Sequence, residues 1–386
     1  MILANGLVMD DDFNLKRLDI QIVGRKIVKI AEKIEDADDV LDMSGKYILP
    51  GFVDTHIHGA YGVRISDENP SLHEVTEFEA SQGVTSIAIT TAASEFNDIL
   101  RQIDVAVDAS KQMVGARIAG IHAEGPFISK KYKGAMNGDN IINPNREKLD
   151  TMIAHAEGLL KIITIAPEAE GAPELIRYAA DCGITVSMGH SNANYDEAME
   201  AIRAGATQTT HTFNAMRALN HREPGILGAA LTDDGIKCEL ICDYVHLHPA
   251  TVKLVYRLKG ADKIQMVSDS GHAAGLNVTE FMVDGLMRYV KDGVVRLADG
   301  TIAGSAKTIL DGVKNLASSG VPLEDISKMA SLNGAKSLKM EHLIGSISVG
   351  KLADIAVLDK NYDVNCTFVD GICVYRKNIC LCDTVF

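Results

Sequence analysis

The 386-residue sequence lacks the features that mark several broad protein classes. It has no run of 18 apolar residues, so we expect no membrane-spanning helix and no membrane partner. Its first residues, MILANGLVMDDD, contain neither a basic segment nor a long apolar one, so we expect no secretory signal. Positive charge is scarce: 38 Lys and Arg face 52 Asp and Glu, and the net charge is −14. This balance argues against nucleic acid and anionic lipid as partners.

Several chemical motifs are also missing. The seven cysteines include no C-x-x-C pair, and an odd number of scattered thiols fits a reducing cytoplasm better than a disulfide framework. Cys380 and Cys382 form a C-x-C, which is too little for a zinc site. There is no G-x-G-x-x-G after the first central strand, no Walker motif and no G-x-S-x-G elbow. We therefore expect a cytoplasmic protein that needs neither a dinucleotide fold nor a serine nucleophile.

Two patterns of apolar and polar residues divide the chain into two parts. Residues 1–50 and 345–386 read as short strands with turns, which predicts one small β-sandwich domain built from both ends. Residues 51–344 alternate apolar strands with helix-length segments, which indicates a parallel sheet covered on both faces. Eight such units favour an α/β fold of the (β/α)₈ TIM barrel type over a doubly wound open sheet. The predicted barrel strands are FVDTHI, TSIAIT, RIAGIHA, IITIAP, ITVSMG, TQTTHT, KCELICD and IQMVSD.

Candidate metal ligands fall at the carboxyl ends of five of these strands. In FVDTHIH, His56 and His58 are two positions apart, so both rings point to one face of an extended strand. Each of the six residues alone has an ordinary explanation, such as a cap or a packed histidine. Because a barrel gathers its strand ends at one mouth, together they predict a metal site. The six residues are His56, His58, Glu124, His190, His211 and Asp269.

The order and spacing of several motifs resemble the amidohydrolase superfamily, and within it the deacetylases of N-acetylglucosamine 6-phosphate. The motifs are PGFVDTHIHG, HAEGPF, MGHSNA, THTFNAM, REPG, SDSG, GTIAGS and GSISVGKLADIAVLD. The resemblance implies a principal metal held by Glu124, His190 and His211, with His56 and His58 available for a second. It implies one or two divalent ions per subunit, with zinc expected first and iron, manganese or cobalt as alternatives. It also implies that Asp269 is the catalytic aspartate.

The resemblance also implies a substrate-binding set and a homodimer in which Arg222 reaches the neighbouring active site. One position departs from the family pattern, because Met136 stands where a histidine that hydrogen-bonds the substrate is usual, and methionine cannot donate that bond. The implied substrate-binding residues are Ala135, Met136, Asn214, Ala215, Arg222, His246, Ala303, Gly304 and Ser305.

The reaction implied is metal-dependent hydrolysis of the acetamide of N-acetylglucosamine 6-phosphate to glucosamine 6-phosphate and acetate, a step of amino-sugar catabolism. Water activated by the metal attacks the carbonyl, and Asp269 acts first as general base and then as general acid. Three alternatives stay open on the sequence. They are deacetylation of N-acetylgalactosamine 6-phosphate, hydrolysis of another N-acyl or cyclic amide, and a catalytically inactive scaffold or binding protein.

Overall fold

The computed structural model describes residues 1–35, 39–112, 114–283 and 286–377. Its centre is a ring of eight parallel strands in the order in which they occur along the chain. All eight predicted barrel strands are present, and the predicted fold class is confirmed. The barrel strands are β6 (Phe52–Ile57), β9 (Val84–Thr91), β10 (Arg117–Glu124), β11 (Leu160–Ile165), β12 (Thr185–Met188), β13 (Ala206–Thr209), β14 (Lys237–Ile241) and β15 (Ile264–Val267).

Helices follow most barrel strands and cover the outside of the ring. Their local signals are clear in the helix Tyr195–Ala204, where the Asn194 side chain accepts from the backbone N–H of Glu197 at 2.9 Å and the Glu197 carboxylate accepts from Asn194 N–H at 2.8 Å. None of the helices in the described ranges combines the length and apolar character that a bilayer span requires. The helices are α1 (Leu72–Ser81), α2 (Phe96–Ser110), α3 (Arg146–His155), α4 (Ala172–Asp181), α5 (Tyr195–Ala204), α6 (Gly225–Thr232), α7 (Pro249–Lys259), α8 (Ile309–Ser318), α9 (Leu323–Ser327) and α10 (Asn333–Ser337), with a π-helical turn at Lys328–Leu332 and 3₁₀ turns at Lys130–Tyr132, Gly138–Asn140 and Ala261–Lys263.

The barrel closes between its first strand and the segment that follows its last strand. Asp269 N–H donates to the carbonyl of His56 at 3.0 Å, and His58 N–H donates to the carbonyl of Ser270 at 2.9 Å. These hydrogen bonds form the closing seam of the barrel. The seam sets two predicted ligands of the first strand directly beside the predicted catalytic aspartate.

Both ends of the chain contribute to one further sheet of eight strands, as the fold prediction requires. Arg117, at the start of β10, links this sheet to the barrel by ion pairs of 2.7 Å to Asp354 and 2.8 Å to Asp370. The exact limits of the two domains stay a prediction, and Cys380 and Cys382 lie outside the described residues. The strands of this terminal sheet are β1 (Ile2–Met9), β2 (Leu15–Val23), β3 (Lys26–Ala31), β4 (Val40–Asp42), β5 (Tyr47–Pro50), β20 (Ile355–Leu358), β21 (Val364–Val369) and β22 (Ile372–Arg376).

A four-stranded antiparallel sheet is inserted between β15 and α8, and the sequence reasoning did not foresee it. It borders the cavity at the barrel mouth through Phe281, Arg288 and Ala303. Its strands are β16 (Glu280–Val283), β17 (Leu286–Lys291), β18 (Val294–Leu297) and β19 (Ile302–Ser305), and a two-stranded pair, β7 (Gly59–Ala60) and β8 (Val63–Arg64), follows the first barrel strand.

Candidate active site

Glu124 lies at the centre of the predicted ligand cluster. Its Oε1 is 2.9 Å from Nε2 of His190, 3.0 Å from Nε2 of His211 and 3.4 Å from Nε2 of His56. Its other oxygen, Oε2, is 3.2 Å from Nε2 of His58. One buried carboxylate from β10 therefore contacts all four predicted histidine ligands, which three other strands bring to the same point.

Asp269 completes the cluster from the closing seam. Its Oδ1 lies 3.5 Å from Nε2 of His58 and 3.6 Å from Nε2 of His56. Ligand atoms of His56, His58 and Asp269 lie within 4.8 Å of one another, as do those of His56, Glu124 and His211. The structure thus brings all six predicted ligand residues together.

The protons on these imidazoles can be placed from their other hydrogen bonds. Nδ1 of His190 lies 2.8 Å from the carbonyl of Tyr132, and Nδ1 of His58 lies 3.0 Å from the carbonyl of Thr90. A carbonyl can only accept, so each Nδ1 carries a proton and a neutral ring then presents the lone pair of Nε2 to the carboxylates. Such a lone pair and a carboxylate oxygen repel one another unless a proton or a metal ion lies between them.

Two further contacts also fit a metal ion. Nε2 atoms of His190 and His211 face each other at 3.1 Å. Nε2 of His56 is buried and makes no hydrogen bond within the described part of the chain. Imidazole nitrogens and carboxylate oxygens are the ligands that zinc, iron, manganese and cobalt accept. The donor set therefore fits a divalent ion, and its ligand atoms form two groups that share His56.

The electrostatics of the cluster favour charge separation between acids and imidazoles. Burial would lower the pKa of His58, but hydrogen bonds to Asp269 and Glu124 outweigh it and raise the pKa to about 9. Burial would raise the pKa of Glu124, yet the positive fields of His56 and His190 hold it well below its usual range. Burial would likewise raise the pKa of Asp269, but the hydrogen bond to His58 and the positive charge of His56 outweigh burial and lower it. Both acids are therefore carboxylates, and the site attracts positive charge.

Unusual backbone angles point three of these side chains into the mouth. His190, His211 and Asp269 each stand two residues beyond the end of a barrel strand, with φ values of 47°, 31° and 50°. Left-handed backbone is uncommon for residues other than glycine and tends to occur where function requires it. The turn out of the strand direction places these groups at the rim.

A polar layer lies beneath the cluster, and its acid, Glu239, has no role in the sequence-based prediction. Glu239 of β14 is fully buried, and its Oε2 lies 3.5 Å from Nδ1 of His56. His122 packs edge-on against the ring of His56 at 4.7 Å between centroids, and burial lowers its pKa to about 4, so it is neutral. Glu239 had a sequence signal, since it is the one acid inside the otherwise apolar run CELIC.

A cavity of about 750 Å³ opens above the ligand cluster. His58, Glu124, His190, His211 and Asp269 form its floor. Ser305 N–H donates to the carbonyl of Asp269 at 3.0 Å, which joins the backbone around Ser305 to this floor. Eight of the nine predicted substrate-binding residues line the cavity. These eight are Ala135, Met136, Asn214, Ala215, His246, Ala303, Gly304 and Ser305.

His246 has a geometry suited to an anionic ligand. Its Nδ1 lies 2.7 Å from the Asp243 carboxylate, and its buried Nε2 makes no hydrogen bond among the described residues. Burial would lower the pKa of His246, but the hydrogen bond and charge of Asp243 outweigh it and raise the pKa. A protonated His246 offers one N–H donor in the cavity.

Arg222 is the predicted residue that the cavity of its own chain does not include. It lies on an exposed loop, where its backbone N–H donates to the Asn220 side chain at 3.0 Å. Its predicted contact with a neighbouring active site stays a prediction.

Met136 lines the cavity and packs against an apolar group of Ala93, Ile128 and Ile141. The wall at this point is therefore apolar. The loop that carries Met136 is close to the floor of the cavity, because the carbonyl of Tyr132 in this loop lies 2.8 Å from Nδ1 of His190.

Sequence reasoning assigned no role to other polar residues of the cavity wall. Arg64 follows the first barrel strand and His272 follows Asp269 by three positions, which is a signal that nearness to a ligand motif could have supplied. Arg288 belongs to the inserted sheet and donates to the carbonyl of Ala303 at 3.3 Å. No spacing within the sequence indicates that this sheet folds over the mouth.

Comparisons with known proteins agree with this geometry. The model of the amidohydrolase family matches residues 47–374. An N-acetylglucosamine-6-phosphate deacetylase of Lysinibacillus sphaericus is 34% identical over 375 residues, covering 96% of this chain and 97% of the relative. An N-acetylgalactosamine-6-phosphate deacetylase of Escherichia coli O157:H7 is 32% identical over 86% of this chain and 89% of its own.

Solved structures agree as well. The crystal structure of N-acetylglucosamine-6-phosphate deacetylase from Thermotoga maritima superposes with a TM-score of 0.89 and 36% identity, covering 98% of this chain and 100% of the other. The family model spans the whole barrel and all six residues of the ligand cluster. This chain therefore belongs to the amidohydrolase family.

Proposed function

We propose that this protein hydrolyses the acetamide of N-acetylglucosamine 6-phosphate, releasing acetate and glucosamine 6-phosphate. The observation that carries the proposal is the meeting of Glu124, His190 and His211 within 2.9–3.1 Å of one another, with Asp269 beside the first-strand histidines. The relatives that align over nearly the whole chain carry this activity in their names.

The metal belongs to the same proposal. Glu124, His190 and His211 would hold the principal ion, and His56 and His58 with Asp269 would hold a second. A divalent ion there supplies Lewis acidity, lowering the pKa of water toward 7 and polarising the amide carbonyl. Zinc is the ion we propose first, with iron, manganese and cobalt as alternatives.

Asp269 moves the proton in this scheme. Its pKa lies below the usual range, so at neutral pH it is a carboxylate able to accept the proton of the attacking water. The same carboxyl then donates that proton to the departing nitrogen, which cannot leave as an amide anion. Its place on the closing seam, beside His56 and His58, holds this oxygen next to the ligands.

The cavity wall would position the sugar. The contact with Asp243 raises the pKa of His246, which favours its protonated form, and that form would donate to the phosphate. Asn214, Ala215 and the Ala303–Ser305 turn would contact the remainder. Met136 would contact the acetyl group through apolar surface and donates no hydrogen bond to its carbonyl. Polarisation of the carbonyl would then come from the metal centre.

Two further parts of the proposal concern the setting of the enzyme. We place it in the cytoplasm, since the thiols are unpaired among the described residues and the chemistry belongs to amino-sugar catabolism. We also propose a homodimer in which Arg222 of one subunit completes the phosphate site of the other. Its exposed position, outside the cavity of its own chain, supports a contact of this kind.

The test is an acetate-release assay on purified protein with zinc, iron, manganese or cobalt added in turn. The substrates would be N-acetylglucosamine 6-phosphate and its unphosphorylated form. We expect acetate release with a KM that rises sharply when the phosphate is removed. Equal rates on both sugars would contradict the phosphate site, and no acetate release with any metal would contradict the activity.

N-acetylgalactosamine 6-phosphate is a second candidate substrate, because one relative of similar identity bears that name. The two sugars differ only in the configuration of one hydroxyl. Comparing kcat/KM for the two phosphates in the same assay would decide between them, since a ratio above about tenfold corresponds to about 1.4 kcal/mol of discrimination.

A further inference from the structure

The buried carboxylate of Glu239 lies below the ligand cluster and outside the substrate cavity. We propose that Glu239 is a positioning residue for a second divalent ion: it fixes the orientation of His56 and supplies a negative charge that the second ion requires. This inference rests on the metal centre of the proposed function and extends it to a residue that does not itself reach the ion.

Three contacts fix Glu239. Its Oε1 accepts from the side-chain amide of Gln208 at 2.8 Å, and its Oε2 accepts from the backbone N–H of His211 at 3.2 Å. The same Oε2 lies 3.5 Å from Nδ1 of His56. Glu239 thus joins the side chain of one predicted ligand to the backbone of another, both fully or nearly fully buried.

The contact with His56 selects a tautomer. A carboxylate can only accept a hydrogen bond, so it favours a proton on Nδ1, which leaves the lone pair of the neutral ring on Nε2. That nitrogen is the one lying 3.4 Å from Glu124 and 3.6 Å from Asp269. The ring of His122, stacked edge-on at 4.7 Å, limits rotation of His56 from the side. His56 is therefore held in the orientation that a metal ligand needs.

Charge provides an independent argument. Glu124, Asp269 and Glu239 bring three negative charges to four imidazoles, which are neutral as metal ligands. Lys237 stands two residues before Glu239 on the same strand face, but its ammonium donates to Asn333, Ser337 and Gln265. With two divalent ions the total is +1, and without the charge of Glu239 it would be +2, a larger buried excess that costs more. The negative charge of Glu239 therefore favours binding of the second ion.

The test is zinc binding to the metal-free full chain, measured by calorimetry and by metal content after dialysis. We expect wild-type protein to bind two ions. Glu239→Gln keeps the shape but removes the charge, and it should raise the dissociation constant of the second ion about 10- to 100-fold while the first remains. Glu79→Gln is the matched control, because Glu79 is an equally buried glutamate that forms no hydrogen bond in the described structure.

Retention of the first ion shows that the variant is folded. If Glu239→Gln does not fold, Gln208→Met removes the donor that orients Glu239 and should weaken the second ion in the same direction. An unchanged second-ion affinity in whichever variant folds would overturn the inference, as would a single ion in the wild-type protein. These readouts need no substrate, so failure to deacetylate would leave this result distinguishable from failure of the proposed function.

Discussion

Replacing Asp269 with asparagine separates proton transfer from metal binding. Asparagine has nearly the same shape and keeps one oxygen near His56 and His58, which lie 3.6 Å and 3.5 Å from Oδ1 in the wild-type protein. It cannot take the proton of water or return one to the leaving nitrogen. Glu124, with two histidines within 3.0 Å of its Oε1, is untouched, so at least one ion should remain bound.

The expected magnitude follows from the role lost. General acid–base catalysis contributes about 10²- to 10⁴-fold in rate, or about 2.7–5.5 kcal/mol of transition-state stabilisation. Because Asp269 serves both as base and as acid, we expect the loss in kcat to lie near the upper end. KM should change much less, since the sugar-contacting wall is intact.

The assay is acetate release over a range of substrate concentrations, with metal content measured on the same samples. Glu79→Gln is a suitable control, because burial and then the charge of Asp54 raise the pKa of Glu79 well above its usual range, so an amide replaces a neutral carboxyl. A turnover within threefold of wild type, at equal metal content, would refute the assignment of Asp269.

Three other perturbations test other parts of the structure. His246→Gln should raise KM for the phosphorylated sugar but not for the unphosphorylated one. In the wild-type protein the raised pKa keeps the proton on His246 above the ordinary histidine pKa of about 6.5, so KM for the phosphorylated sugar should rise only at higher pH. A KM that does not depend on pH would contradict this role of His246. Arg117→Met leaves the buried carboxylate of Asp354 without its ion pair, while Asp370 keeps Arg25 at 2.7 Å. It should lower the free energy of unfolding by about 3–5 kcal/mol in urea titrations, whereas Lys33→Ala, which removes the exposed Lys33–Glu35 pair, should change it little. Removal of metal by a chelator should lower the melting temperature, because a metal ion at a free concentration of 100 times its Kd adds about 2.7 kcal/mol to the free energy of unfolding. Added zinc should restore the melting temperature. An unchanged melting temperature would argue against a structural metal centre.

The barrel could be predicted from the sequence because each strand carries a local pattern. Runs such as FVDTHI and IQMVSD are apolar, short and bounded by turn residues, and the predicted strands coincide with the observed ones to within a few positions. The ligand cluster followed because a barrel brings every strand's carboxyl end to one mouth, so Glu124 and Asp269 needed no pairing information. The barrel topology, and not the spacing of these residues along the sequence, predicted that they lie together.

The features that sequence reasoning missed depend on contacts across the fold. Arg288 reaches the cavity only because an inserted sheet folds over the mouth, and no periodicity within residues 280–305 specifies that packing. Glu239 lies within a predicted strand, but its role depends on contact with His56 on a different strand. Arg222 shows the opposite limit, because its predicted contact involves a second subunit.

The closing seam has a consequence for how the active protein assembles. Asp54 and Ser268, which hydrogen-bond across it, are 214 positions apart in sequence, and contacts of such separation form late because a long loop must first be ordered. Catalytic competence therefore cannot accumulate gradually as the chain folds; it arises only when the last barrel strand docks on the first. An ion that bridges the two edges would slow their separation, so the lifetime of the native ring, and not only its activity, should depend on the supply of metal in the cell.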